Sequence, residues 1–259
     1  MELDIAVRLD YAVAGPVDLL LQIEAAALDD QRIVYESLRT GWAGEGWPIA
    51  AESEVGRRLW LRLENDFECF YEARVSIERD NPDLSGLSQV QPRNLPGDVV
   101  RYLMPSRYCP SDEFQTFVNA EFGGTEGGAR IVALRDWIEN RFAYVSGVSG
   151  PQTTALETFV QRQGVCRDFA HVLITMARAS TIPARFVSVY APGVNPPDFH
   201  AVAEVYLDDA WHLVDPTGMA DPASIARIGV GADAADVAFM SSFGTMMLRQ
   251  QSVSVVSAL

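Results

Sequence analysis

Up to Ile77, apolar and polar positions alternate in short runs at 3–13, 17–26, 32–35, 58–63 and 68–77. A period of two marks strands with one buried face, so the N-terminal part reads as β-rich. Between 80 and 98 the pattern stops at Pro82, Gly86, Pro92, Pro96 and Gly97, residues that break both helix and strand. The chain is therefore divided into a β-rich unit over 1–98, which includes this Pro-rich linker, and a second unit over 99–259.

In the second unit the period lengthens. Ser111, followed by Asp112 and Glu113, has the chemistry of a helix N-cap and an acidic first turn. Ile131, Leu134, Ile138 and Phe142 fall on one face of a helix over 128–142, and a further helix is expected over 154–163. Cys166, Phe169, Ala170, Leu173, Met176 and Ala177 share a face of a helix that Pro183 ends. Runs at 184–190, 200–207 and 210–215 then read as strands, the last two joined by a tight Asp208-Asp209 turn. Helices before strands predict an α+β domain in which a central helix packs on an antiparallel sheet. Two apolar runs in the tail, 238–248 and 252–256, are expected to add closing strands to this second unit.

Composition narrows the function classes. With 48% hydrophobic and 21% charged residues the chain has the make-up of a folded globular protein. Its 35 acidic and 20 basic side chains give a net charge of -15, which repels phosphate backbones and anionic lipid surfaces. Neither nucleic acid nor a membrane is expected as a partner. No apolar run approaches the length of a membrane helix, and residues 1–10 lack the pattern of a signal peptide, so a cytoplasmic location is expected. Cys69, Cys109 and Cys166 are too few and too widely spaced for a disulfide framework.

A thiol becomes a useful nucleophile when a helix N-terminus or a histidine favours its thiolate. Cys166 is offered both. Gly164 leads into the helix whose first turn carries Cys166, and His200 begins a strand after a loop rich in Pro and Gly. If Asp208 and Asp209 form a two-residue turn, Leu207 faces Ala210, Val202 faces Asp215, and His200 lies diagonal to Asp215 on one sheet face. This geometry would bring the His200 imidazole and the Asp215 carboxylate close enough to meet.

The stretches Gly164-Val-Cys-Arg-Asp-Phe-Ala-His, Ile182-Pro-Ala-Arg-Phe-Val-Ser-Val-Tyr, His200-Ala-Val-Ala-Glu-Val-Tyr and Trp211-His-Leu-Val-Asp-Pro-Thr-Gly carry a resemblance over residues 130 to 220. In that order they resemble the transglutaminase-like superfamily. The resemblance implies a papain-like core, a catalytic triad of Cys166, His200 and Asp215, and a bacterial origin, because residues 1–98 look like the β-rich region that precedes this core in many bacterial members. The chain departs from the family's usual pattern at Val202, where tryptophan is frequent, and at Gly218, where asparagine is.

The implied activity is cysteine-dependent hydrolysis of a peptide or other amide through an acyl-enzyme. Acyl transfer to an amine is the alternative, and a non-catalytic scaffold the third reading. Gln152, Gln163 and Tyr144 are candidates for holding the oxyanion. His171 is given no role, and His212 is expected on the face away from Asp215. Arg167 and Asp168 are expected to anchor the helix start. No metal site is read from Cys166, Asp168 and His171, and no cofactor is expected. The pattern Gly229-Val-Gly-Ala-Asp-Ala mimics a dinucleotide fingerprint, but too little chain follows it for a βαβ unit, and a glycine-rich turn is expected instead.

Overall fold

The computed structural model describes residues 1–41 and 46–258. Strands β1 (Glu2–Val13), β2 (Val17–Leu21), β3 (Gln31–Thr40), β4 (Trp47–Ala50), β5 (Arg57–Leu63) and β6 (Phe67–Ile77) form the N-terminal part. In β1 the alternation expresses itself directly: Leu3, Ile5, Val7, Leu9 and Tyr11 are buried, and the residues between them are not. With Leu19, Leu21, Leu61, Leu63, Phe67 and Tyr71 they make one core shared by two sheets. β2 is shorter and β3 longer than the alternation indicates.

The segment 80–98 contains turns instead of a free tether. Gln89 donates to the Ser180 and Thr181 carbonyls at 3.3 and 2.9 Å. After it come α1 (Gly97–Val100), α2 (Gln115–Phe122), α3 (Gly127–Arg141), β7 (Ala143–Tyr144), α4 (Ala155–Gln161), β8 (Gln163–Gly164) and α5 (Cys166–Ala179). The expected N-cap at Ser111 is corrected: Ser111–Glu113 is a 3-10 turn, and α2 starts only after Phe114 has been turned into the core. Thr154 does cap α4, accepting from the Glu157 N–H while Glu157 accepts from the Thr154 N–H.

Strands β9 (Ala184–Tyr190), β10 (His200–Leu207), β11 (Ala210–Val214) and β12 (Ala226–Gly231) form an antiparallel sheet in the order β11-β10-β9-β12. α5 packs on one face, where Ala184, Phe186, Ala201, Ala203 and Val205 meet Phe169, Leu173 and Met176. Val187, Val189, Val202, Leu213 and Val230 are buried on the other face. Cover on both faces is why β9 and β10 are buried throughout and read as apolar runs. This is the expected α+β architecture, a central helix packed on an antiparallel sheet with a β-rich region beside it.

The glycine-rich stretch 229–234 is only partly a turn: Gly229–Gly231 complete strand β12, and the turn follows over 232–236; a Cβ on Gly229 would lie 2.1 Å from Gln22 Nε2, so the glycine admits a close approach from the N-terminal unit. The closing strands β13 (Met240–Phe243) and β14 (Met246–Ser257) do not join the β11-β10-β9-β12 sheet. They pair with β2 and β1, giving sheets β13-β2-β5-β4 and β14-β1-β6-β3. The assignment of all of 99–259 to one unit is corrected accordingly: alternation identifies a strand, while its partner depends on which edge is free in space.

The two units are locked by polar contacts. Tyr190 donates to the Ile23 carbonyl at 2.6 Å, and Gln31 exchanges hydrogen bonds with the backbone of Arg227 at 2.7 and 2.8 Å. Buried Glu204 is held by Arg185 at 2.7 Å and Arg227 at 3.0 Å, and Arg227 continues to Asp30. Among the described residues no helix is long and apolar enough to cross a membrane.

Candidate active site

Gly164 and Val165 are extended, and the chain turns into α5 at Cys166. Asp168 is buried, and its Oδ2 accepts from the Val165 N–H at 2.9 Å, while Arg167 donates to Oδ1 at 2.8 and 3.1 Å. The pair anchors the helix start. Cys166 is half-buried at this end, where free N–H groups and the positive end of the helix dipole favour negative charge.

The β10–β11 hairpin turns at Asp208 and Asp209, both with left-handed φ of 45° and 60°, and pairs Leu207 with Ala210 and Ala203 with Val214. Continued by one step, this register sets Asp215 across from Val202 and diagonal to His200. The side chains meet: His200 Nε2 lies 3.0 Å from Asp215 Oδ2, both residues buried. Asp215 Oδ2 also accepts from the Ala220 N–H at 2.9 Å, and Oδ1 from the Thr217 N–H and hydroxyl at 2.8 and 2.7 Å.

Cys166 lies within interaction range of the same ring. Nε2 is committed to Asp215, and Nδ1 has no hydrogen-bonded partner of good geometry, which leaves that nitrogen for the sulfur. Burial works to lower the His200 pKa, but the bond to Asp215 and the contact with Cys166 outweigh it and raise the pKa to about 10. These contacts favour the charged form of the ring. Burial works to raise the Asp215 pKa, but His200 and Thr217 hold it below the ordinary carboxylate value.

Of the three oxyanion candidates, Tyr144 reaches the site. The parallel β7–β8 pair sets Tyr144 beside Gly164, and its hydroxyl contacts both the backbone N–H and the side chain of Cys166. Burial first, and then the electrostatic influence of Cys166, push the Tyr144 pKa well above its usual range. Gln152 is exposed.

A cleft of about 500 Å³ opens over Cys166 and His200. Tyr108, Pro151, Arg167 and Phe186 line it, together with Asp198, Phe199 and the 237–240 segment that leads into β13. Sequence reading missed this last wall. The run 238–248 looks like an ordinary strand, and its place beside Cys166 depends on the crossing back to β2.

His171 is fully buried, stacked on Tyr108 at 5.0 Å and tilted against Phe186 at 5.2 Å, with Nε2 accepting from the Ala234 N–H at 3.2 Å. Burial lowers its pKa to about 3. His212 is half-buried, with Nε2 3.1 Å from the Leu207 carbonyl oxygen. Neither histidine lines the cleft. Val202 is core, and Gly218 has φ of 68°, a region that asparagine also tolerates.

A model of the transglutaminase-like superfamily matches residues 117–216. The crystal structure of a candidate cysteine protease from Cytophaga hutchinsonii is 35% identical, with a TM-score of 0.93 over 99% of this chain and 90% of that one. The chain belongs to the transglutaminase-like superfamily. This transglutaminase-like chain is also 28% identical over 146 residues to an uncharacterized protein of Mycobacterium leprae, covering 52% of each. It is 34% identical over 126 residues to one of Mycobacterium tuberculosis, covering 41% of this chain and 40% of that protein. The chain thus spans about half or less of the length of the curated relatives it matches. The periplasmic domain of TgpA from Pseudomonas aeruginosa shares 21% identity at a TM-score of 0.43, over 83% of this chain and 77% of that domain.

Proposed function

We propose that this protein hydrolyses peptide or other amide bonds through an acyl-enzyme on Cys166. Superfamily membership and the likeness to a candidate cysteine protease support a cysteine-dependent enzyme in the broad sense. The observation that carries the finer reading is the meeting of Cys166 and His200 at one cleft, with buried Asp215 hydrogen-bonded to His200 Nε2.

In this reading the thiolate sulfur attacks the carbonyl carbon, and the carbonyl π pair moves onto oxygen. The Cys166 N–H and the Tyr144 hydroxyl are the donors placed to receive that oxyanion. As the tetrahedral intermediate collapses, the C–N bond breaks and protonated His200 gives its Nδ1 proton to the leaving amine. Neutral His200 then takes a proton from water, which attacks the thioester and releases the acid. Throughout, Asp215 holds Nε2 and stabilises the imidazolium without accepting its proton.

The test is an activity-based thiol probe on the protein and on Cys166→Ala, followed by product analysis on a peptide library with and without a primary amine. Free carboxylic acid as product, with no amide adduct, is the expected result. Amide adducts would establish acyl transfer, and unlabelled Cys166 would leave a scaffold.

A further inference from the structure

The cleft carries two charged side chains outside the triad, Arg167 and Asp198. They are not equivalent. Arg167 directs its donors to the buried Asp168 carboxylate and, at 2.9 Å, to the Gly150 carbonyl, so its charge is already matched. Asp198 is exposed. Its Oδ1 accepts from the Phe199 N–H at 2.8 Å and from Gln251 Nε2 at 2.6 Å. Its Oδ2 has no hydrogen-bond partner, and the carboxylate makes no ion pair among the described residues.

Two neutral donors therefore fix the direction of this carboxylate without cancelling its charge. One of them, Gln251, comes from β14, so the returning C-terminal strand sets a group at the rim of the cleft. The charge acts on the site itself: after burial and Cys166, the Asp198 carboxylate adds to what holds the Tyr144 phenol protonated.

The surface leading to Asp198 is apolar. Phe199 and Phe239 stack with centroids 4.5 Å apart and planes 9° apart, and Phe186, Val237 and Met240 extend the wall. An aromatic wall that ends in an unpaired carboxylate is complementary to a long apolar stem that ends in a cation. Lysine and arginine side chains have that form. An α-amino group has the charge without the stem. At a net charge of -15 the whole protein also attracts basic polypeptides over long range.

We infer that Asp198 is a specificity residue, selecting polypeptides that place a lysine or arginine side chain along the Phe199–Phe239 wall near the bond cleaved at Cys166. The inference rests on Cys166 as the nucleophile, and its test separates the two. Cys166 is alkylated with neutral iodoacetamide and with cationic 2-bromoethylamine, and labelling is read site by site by mass spectrometry. The protein is compared with Asp198→Asn and Asp198→Lys at low salt and in 1 M salt.

The ratio of cationic to neutral labelling should be about fivefold higher in the unsubstituted protein than in Asp198→Asn, the factor for a unit charge pair at ~4 Å in water. It should be lower again in Asp198→Lys, and the differences should vanish in 1 M salt. In peptides, replacing the favoured lysine by norleucine should raise KM in the unsubstituted protein and have little effect in Asp198→Asn. Fast labelling of Cys166 with the same ratio in all three proteins would overturn the role of Asp198 alone. Labelling of Cys166 no faster than that of Cys69 and Cys109 would remove the nucleophile, and the substrate inference with it.

Discussion

Thr217 donates both its backbone N–H and its hydroxyl to Asp215 Oδ1, at 2.8 and 2.7 Å, and so leaves Oδ2 for His200. The carboxylate that orients the histidine is thus oriented by the turn that follows it. Thr217→Val keeps the shape and removes the hydroxyl bond to a charged acceptor, at a cost of about 1.5–3 kcal/mol. Urea denaturation should show that loss, and kcat should fall without a matching change in KM.

His200→Ala should lower kcat/KM by on the order of 10²- to 10⁴-fold, the usual contribution of a proton-transfer group. Asp215→Ala should do less harm, since it removes the partner and leaves the imidazole. Steady-state kinetics on one amide substrate orders the two; a larger loss in Asp215→Ala would reverse the roles assigned here.

The His200 pKa gives a stability window. It stands at about 10 in the folded protein against an ordinary 6.5, so its contribution is fully present below about 6.5 and fades as pH rises to about 10. Asp215 has the opposite sign: its pKa is lowered, so its contribution holds above the ordinary 3.8 and is lost as pH falls below that value. Thermal melts from pH 4 to 10 should show a difference between wild type and His200→Gln that shrinks across the alkaline range. Because Cys166 helps raise the ring's pKa, Cys166→Ala should bring it down, which an NMR titration of the imidazole reads directly.

Cys69 and Cys109 have no exposed surface, and burial pushes both thiols up to about 12. Iodoacetamide should label Cys166 first across pH 5 to 9, and His200→Ala should slow that labelling at neutral pH. Gly164→Ala should slow it as well: an added Cβ would lie 2.7 Å from Asp168 Cβ and 2.8 Å from its Oδ2, displacing the carboxylate that anchors the start of α5.

Glu204 has no exposed surface and sits between Arg185 and Arg227. Burial works to raise its pKa, and the two arginines more than offset that, so it stays a carboxylate. Glu204→Ala leaves buried guanidinium charge without its partner and should destabilise the fold by about 3–5 kcal/mol. Chemical denaturation checks the size. A near-neutral result would mean that water or Asp30 takes over.

The site is largely legible in the sequence because its parts are local. A glycine before an apolar helix face placed Cys166, and a two-residue Asp208-Asp209 turn fixed the register that makes His200 diagonal to Asp215. Tyr144 was one of three candidates, since sequence distance from Cys166 does not distinguish it from Gln152 or Gln163. The parallel pairing of Tyr144 with Gly164 does. Asp198 and Phe239 were invisible as site residues, because their roles depend on chain segments that meet only in the folded molecule. The tail strands illustrate the same limit: their alternation was read, their partners were not. Ser111 is a different failure, in which good capping chemistry lost to the burial of Phe114.

The pairing of β1 with both β6 and β14 has a consequence for biosynthesis. As the chain leaves the ribosome, β1 can form its ladder with β6 early, but its other edge stays open until residues 246–257 have emerged. Until those residues arrive, the nascent N-terminal sheet is exposed to strand addition from other chains. The wall carrying Phe239 is fixed only when β13 docks on β2, so a nascent or C-terminally trimmed chain lacks a finished substrate cleft even with Cys166, His200 and Asp215 all present.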